Sequence, residues 1–146
     1  MDVFYIGPEN TFATTQQGVE TNKQNALGHL KRILGETRGH IYKIGIATNP
    51  TGRSYGHNRV AVDERREGDL IYVTYQVGLW SGMFVIFQSP SAGLIRDAER
   101  EFIRAANQGF GDFSKSSLVT MNTSTGGEGP LGARGPYYLY VLRSGG

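Results

Sequence analysis

Lys43, Arg53 and His57 stand at offsets of zero, ten and fourteen in YKIGIATNPTGRSYGH, residues 42–57. Lys43 lies in a β-rich run; the other two are four apart in the segment that follows, so on a helix they share a face. Three donors meeting at one point suit a phosphate under attack, because its transition state gains negative charge. Gly45, two residues beyond Lys43, has no Cβ to hold a helix or a phosphate away from the strand. Such a centre also needs an acid to hold a metal and a group to activate water. RDAEREFI offers Glu99 and Glu101, and MNTSTGG offers Asn122. Each residue has an ordinary reading too. Lys43 can reach solvent along a sheet edge, Arg53 can cap loop carbonyls, and Glu99 can sit on a charged, solvated helix face.

The elements that must position these residues follow from periodicity. HIYKIGIAT alternates and reads as a central strand that sends Ile41, Lys43 and Gly45 to one face and Tyr42 and Ile44 to the other. NPTGR turns the chain into a short helix read through RSYGHNRVAVDERR. SPSAGLIRDAEREFIRAANQG has a Ser/Pro start, Gly109 as stop, and Leu94, Ile95, Ala98, Phe102, Ile103 and Ala106 on one face. TNKQNALGHLKRILG reads as a helix capped by Thr21 or Asn22 and ended by Gly35. Strands are expected at 2–7, 69–77, 83–88 and 137–143, and the glycine-rich MNTSTGGEGPLGARGP is loop. The class is α+β: a small, mostly antiparallel sheet flanked by helices, in one domain spanning 1–146.

Composition excludes several chemistries. With no cysteine among 146 residues, disulfides, thiolate metal sites and a cysteine nucleophile are all ruled out. No run approaches the ~18 apolar residues of a spanning helix, and MDVFYIGPENTF is no secretory signal. An intracellular, cytoplasmic home without a membrane partner is expected. A net charge of +2 permits a phosphate-bearing partner without demanding one.

KIGIATNPTGRSYGH resembles the second half of the GIY-YIG nuclease motif, YIG-x-T-x-N-x-x-x-R-x-x-x-H, with the spacing to Arg53 and His57 intact. DAEREFI is similar to the family's metal-binding helix, and Glu99, three residues before the apolar pair Phe102–Ile103, fits it better than Glu101. NTSTGGEG is similar to the Asn-then-glycines tail of many members. The core of the resemblance runs over about 40–129. Lys43 replaces the YIG tyrosine, as in KIG-type branches. The family's first strand is missing from its place before Lys43, where a helix stands instead. Three tyrosines can supply its GIY tyrosine. Tyr5 keeps family order but needs a long insertion, Tyr42 faces away from Lys43, and Tyr140 in YYLYVLRS looks most like that strand yet stands at the other end. A permuted sheet, or a strand donated by another subunit, would put Tyr140 in place, and Tyr140 is preferred to Tyr5.

The resemblance implies a metal-dependent endonuclease that hydrolyses phosphodiester bonds in nucleic acid, DNA more than RNA. Tyr140 or Tyr5 would be the general base and Glu99 the ligand of Mg²⁺ or Mn²⁺. Arg53, His57 and Lys43 would serve the phosphate, and Asn122, Arg65 and Arg66 the substrate. Two other readings remain open. One is a catalytically silent nucleic-acid-binding module using Arg53, Lys43, Arg65, Arg66 and Arg134 with tyrosines for stacking. The other is a homodimer formed through an exposed C-terminal strand.

Overall fold

The structure, a computed structural model, describes residues 2–6, 15–35, 41–57, 59–67, 70–77, 80–111, 119–120 and 135–144, with backbone alone at 55–57, 59–67, 70–77, 111 and 119–120. Asn122 and Arg134 lie outside the described residues. In chain order the elements are β1 (Asp2–Tyr5), α1 (Gln16–Gly35), β2 (Ile41–Ala47), α2 (Pro50–His57), β3 (Arg59–Glu67), β4 (Leu70–Val77), β5 (Trp80–Ser89), α3 (Ala92–Asn107), β6 (Val119–Thr120) and β7 (Tyr137–Ser144). Five strands form one sheet in the order β1-β5-β7-β2-β6, and β3 pairs with β4 in a separate ribbon.

The class is α+β, as expected, but the main sheet is mixed. Its long ladders, β5–β7 and β7–β2, are antiparallel, while both edge strands, β1 and β6, join in parallel. The expectation of an exposed C-terminal strand is corrected. β7 is the central strand, with both backbone edges hydrogen-bonded, so it has no free edge to offer a second copy. Its run Leu139, Tyr140, Val141, Leu142 is buried on both faces. A near-continuous apolar run is what a strand covered on both sides requires.

One face of the sheet carries Tyr42, Ile44, Ile46, Leu139 and Val141 and packs against α1 and α3 through Leu30, Leu34, Ile95, Phe102 and Ile103. The other face carries Ala47, Val85, Tyr140 and Leu142 with Trp80 and Met83, and α2 touches β1, β2 and β5. The alternation read along β2 is therefore correct. Tyr42 points to the helical face, where its hydroxyl donates to Asn107 Oδ1, and this removes it from the site.

Two boundaries move. α1 starts at Gln16 because Thr15 caps it: its Oγ1 accepts from Gly18 N at 3.0 Å and its carbonyl from Val19 N at 3.0 Å. The helix read through RSYGHNRVAVDERR ends at His57, and Arg59–Glu67 is strand β3, paired antiparallel with β4. Val60 and Val62 favour the pleat, and pairing with the β-branched β4 overrides the helical preference of the charged residues.

α1 and α3 are also joined by Lys23, whose Nζ lies 3.0 Å from Glu101 Oε2 and 3.4 Å from Glu20 Oε1. Burial lowers the affinity of this ammonium for its proton, but the two carboxylates outweigh it and the pKa is raised above 10.5. A half-exposed pair of this kind contributes at most about 1 kcal/mol. Among the described residues no helix is long and apolar enough to cross a membrane.

Candidate active site

Asn-Pro at the end of β2 builds the short helix that carries Arg53. Asn49 is its N-cap, accepting from Gly52 N through Oδ1 at 3.1 Å and from Arg53 N through its carbonyl at 3.0 Å. Pro50 fills the first helical position, where its missing N–H costs nothing. Ser54, 4% exposed, closes the turn by donating to Thr51 O at 2.6 Å. Arg53 thus leaves the first turn on the exposed side and helps line an open cleft of about 310 Å³ with Ile46, Ala47, Thr48, Asn49 and Gly52.

The tyrosine comes from the far end of the chain. Tyr140 in β7 is the direct cross-strand partner of Gly45 in β2, so both face the same side. The phenol ring lies over the glycine: a Cβ built on Gly45 would come within 2.5 Å of Tyr140 Cζ and 2.9 Å of Cε2. The absent side chain is therefore the space the ring occupies. Tyr140 is 1% exposed, and its hydroxyl is hydrogen-bonded to Arg53. Burial pushes the phenol above its ordinary value of 10.0; Arg53 pulls it back, and the charge of Glu99 adds to the rise. Tyr140 therefore keeps its proton at neutral pH.

Glu99 is not on a solvated face. It is 4% exposed, on the buried side of α3 with Ile95, Ala98, Phe102, Ile103 and Ala106. The spacing carried that signal, since 99 is four beyond 95, three before 102 and four before 103. Ser91 fixes the helix's start, accepting from Leu94 N at 3.2 Å, and Gly109 follows its end at a φ of 62°.

Tyr140 and Arg53 thus meet over Gly45, and Glu99, on α3 at the helical face, reaches Tyr140 through its charge. Lys43 shares the side of Gly45 and Tyr140, two residues along and half-buried. His57 lies one turn beyond Arg53 on α2, placed by its backbone. Arg65 and Arg66 belong to the β3–β4 ribbon, likewise by backbone. Tyr5 is in register with Val85, which is in register with Tyr140. It therefore faces the same side as Tyr140 but stands two strands away, 53% exposed. The resemblance points to β7 beside β2, but the register that sets Tyr140 opposite Gly45 is fixed only by the ladder itself, which joins residues nearly a hundred positions apart.

No family model, curated protein or solved structure matches this chain.

A metal site can be tested against these residues. Among the described residues no group of three or more His, Cys, Asp or Glu gathers into a metal cage. Mg²⁺ needs none, since it keeps several waters and takes one or two carboxylates together with substrate phosphates. Glu99 supplies one hard carboxylate, and Arg53 a guanidinium suited to phosphate; both act on Tyr140. Glu99 Oε1 is buried and accepts no hydrogen bond in the structure, while the carboxylate acts electrostatically on Tyr140. Were Mg²⁺ or Mn²⁺ bound beside Tyr140, Glu99 is the carboxylate that would hold it.

Proposed function

We propose that this chain is a metal-dependent endonuclease of GIY-YIG type, acting inside the cell on nucleic acid, DNA in preference to RNA, with the motif's first strand displaced to the C-terminus as β7. The observation that carries this reading is the Gly45–Tyr140 pair, which sets a buried phenol against Arg53 and within reach of the charge of Glu99. A tyrosine, an arginine, a carboxylate and a glycine, drawn from β7, α2, α3 and β2, are the parts the motif requires. Their meeting at Tyr140, despite lying far apart in sequence, supports this reading.

Each side chain has a task. Arg53, exposed at the cleft, receives the phosphate and neutralises its charge. Lys43 on β2 would add a further donor, and His57, one turn beyond Arg53 in the chain of α2, is the candidate for another. Glu99 would hold the divalent cation, which when bound polarises the phosphate and stabilises the leaving oxygen. As general base, Tyr140 would first lose its proton to solvent and, as phenolate, then take one from the attacking water. Arg53 favours that change because it stabilises phenolate over phenol.

A catalytically silent nucleic-acid-binding module of the same fold is the second reading. The burial that raises Tyr140's pKa favours it, since a base is helped by the opposite shift. The two readings separate in one assay. Supercoiled, linear and branched DNA and structured RNA are incubated with the protein in Mg²⁺, in Mn²⁺ and in chelator. Cutting that requires the metal and stops in chelator is the expected result. A mobility shift without cutting in every condition supports the silent module instead.

A further inference from the structure

β1 presents the two exposed large hydrophobic side chains among the described residues, Phe4 at 45% and Tyr5 at 53%. They point to opposite faces of the sheet. Phe4 has an internal role: it stacks on Phe84 with ring centroids 5.2 Å apart, and the Arg143 guanidinium lies 4.9 Å from the Phe84 ring. Tyr5 keeps its ring face more open. It faces the side occupied by Tyr140 and α2, and its ring meets Tyr138 edge-on, with centroids 6.0 Å apart and planes at 84°. Tyr138 is in turn the cross-strand partner of Ala47, which lines the cleft that holds Arg53. α2 touches β1 as well as β2. The surface therefore runs continuously from the Arg53 cleft across Tyr138 to an open aromatic ring.

We infer that Tyr5, braced by Tyr138, is a stacking platform for an unpaired nucleobase of the strand whose phosphate lies at Arg53. The inference rests on the nucleic-acid reading proposed above and narrows its substrate to a strand that is single or locally opened on the β1 side of the cut. A base inside a duplex has both π-faces covered by its neighbours, so only an unpaired, terminal or extruded base can stack on a protein ring. A tyrosine suits the position because its ring offers apolar area while its hydroxyl stays in water. The same placement makes Tyr5 a binding residue rather than a reactant. Val85 separates it in register from Tyr140, and it is Tyr140 that engages Arg53.

The test is fluorescence anisotropy of labelled oligonucleotides in chelator, with the full chain, Tyr5→Leu and Tyr5→Trp. The probes are a single strand, the same strand carrying one abasic site at successive positions, and a blunt duplex. Tyr5→Leu is expected to bind the single strand roughly 5- to 150-fold more weakly, the range measured for losing one base–aromatic stack, and Tyr5→Trp to bind as the parent does. The duplex affinity stays unchanged. At one abasic position the parent falls to the level of Tyr5→Leu, which is insensitive there. Equal single-strand affinity of parent and Tyr5→Leu, or an equal loss on duplex, overturns the platform. Cleavage in Mg²⁺ is read in parallel. No cutting with the Tyr5 effect intact removes the nuclease reading alone, cutting with no Tyr5 effect removes the platform alone, and failure to bind any probe overturns both.

Discussion

Glu99→Gln is expected to lose metal-supported cleavage by roughly 10²- to 10⁴-fold, the several kcal/mol that a metal-held phosphate contributes, while melting no lower than the parent. Glu99 is 4% exposed at a core position of α3, and keeping a charged carboxylate out of water is costly. The amide has nearly the same shape without the charge. A gain of about 1 kcal/mol would raise the melting temperature by roughly 3 °C in a domain of this size. A second readout follows from the charge. Glu99 helps to raise the pKa of Tyr140, so removing it should make the phenolate appear at lower pH than in the parent, as followed by ultraviolet difference titration. A variant that melts well below the parent and still cuts would make Glu99 a packing residue.

Gly45→Ala has the other large effect, on stability and activity together. The new methyl would lie 2.5 Å from Tyr140 Cζ and 2.9 Å from Cε2, closer than carbon atoms pack. Tyr140 is 1% exposed in the central strand, so its ring cannot move aside without shifting its neighbours. Overpacking of this kind costs about 1–3 kcal/mol, and the displaced hydroxyl loses Arg53. Denaturant unfolding should read the first effect and initial cleavage rates the second. The pair should also be strongly coupled. In a Tyr140→Leu background the same Gly45→Ala change is expected to be nearly neutral for stability, which a double-mutant cycle measures directly.

Local chemistry made much of this molecule legible in its sequence. The spacing of Ile95, Ala98, Phe102, Ile103 and Ala106 defined the buried face of α3, and Glu99 lay within it. The alternation in IYKIGIA assigned Tyr42 and Lys43 to opposite sides, as they are. Asn49-Pro50 marked the start of α2. The misreadings have a common cause in long-range pairing. Arg59–Glu67 is charged enough to read as helix and becomes strand only because Leu70–Val77 lies beside it. Val119–Thr120 is too short to carry a signal and exists as β6 through its pairing with Ile41 and Tyr42. The apolar run of β7 was visible, but whether it sought another chain or filled the centre of its own sheet depended on β2 and β5.

The central claim is that the C-terminal strand supplies the reacting tyrosine. Single-turnover cleavage of the preferred substrate in Mg²⁺ by Tyr140→Phe against the parent tests it most directly. The variant removes one hydroxyl and leaves the ring over Gly45, so melting temperature and substrate affinity should hold. A rate lower by roughly 10²- to 10⁴-fold is expected, the worth of a positioned proton acceptor. Cleavage at the parent's rate would contradict it and return the permuted strand to a purely architectural role.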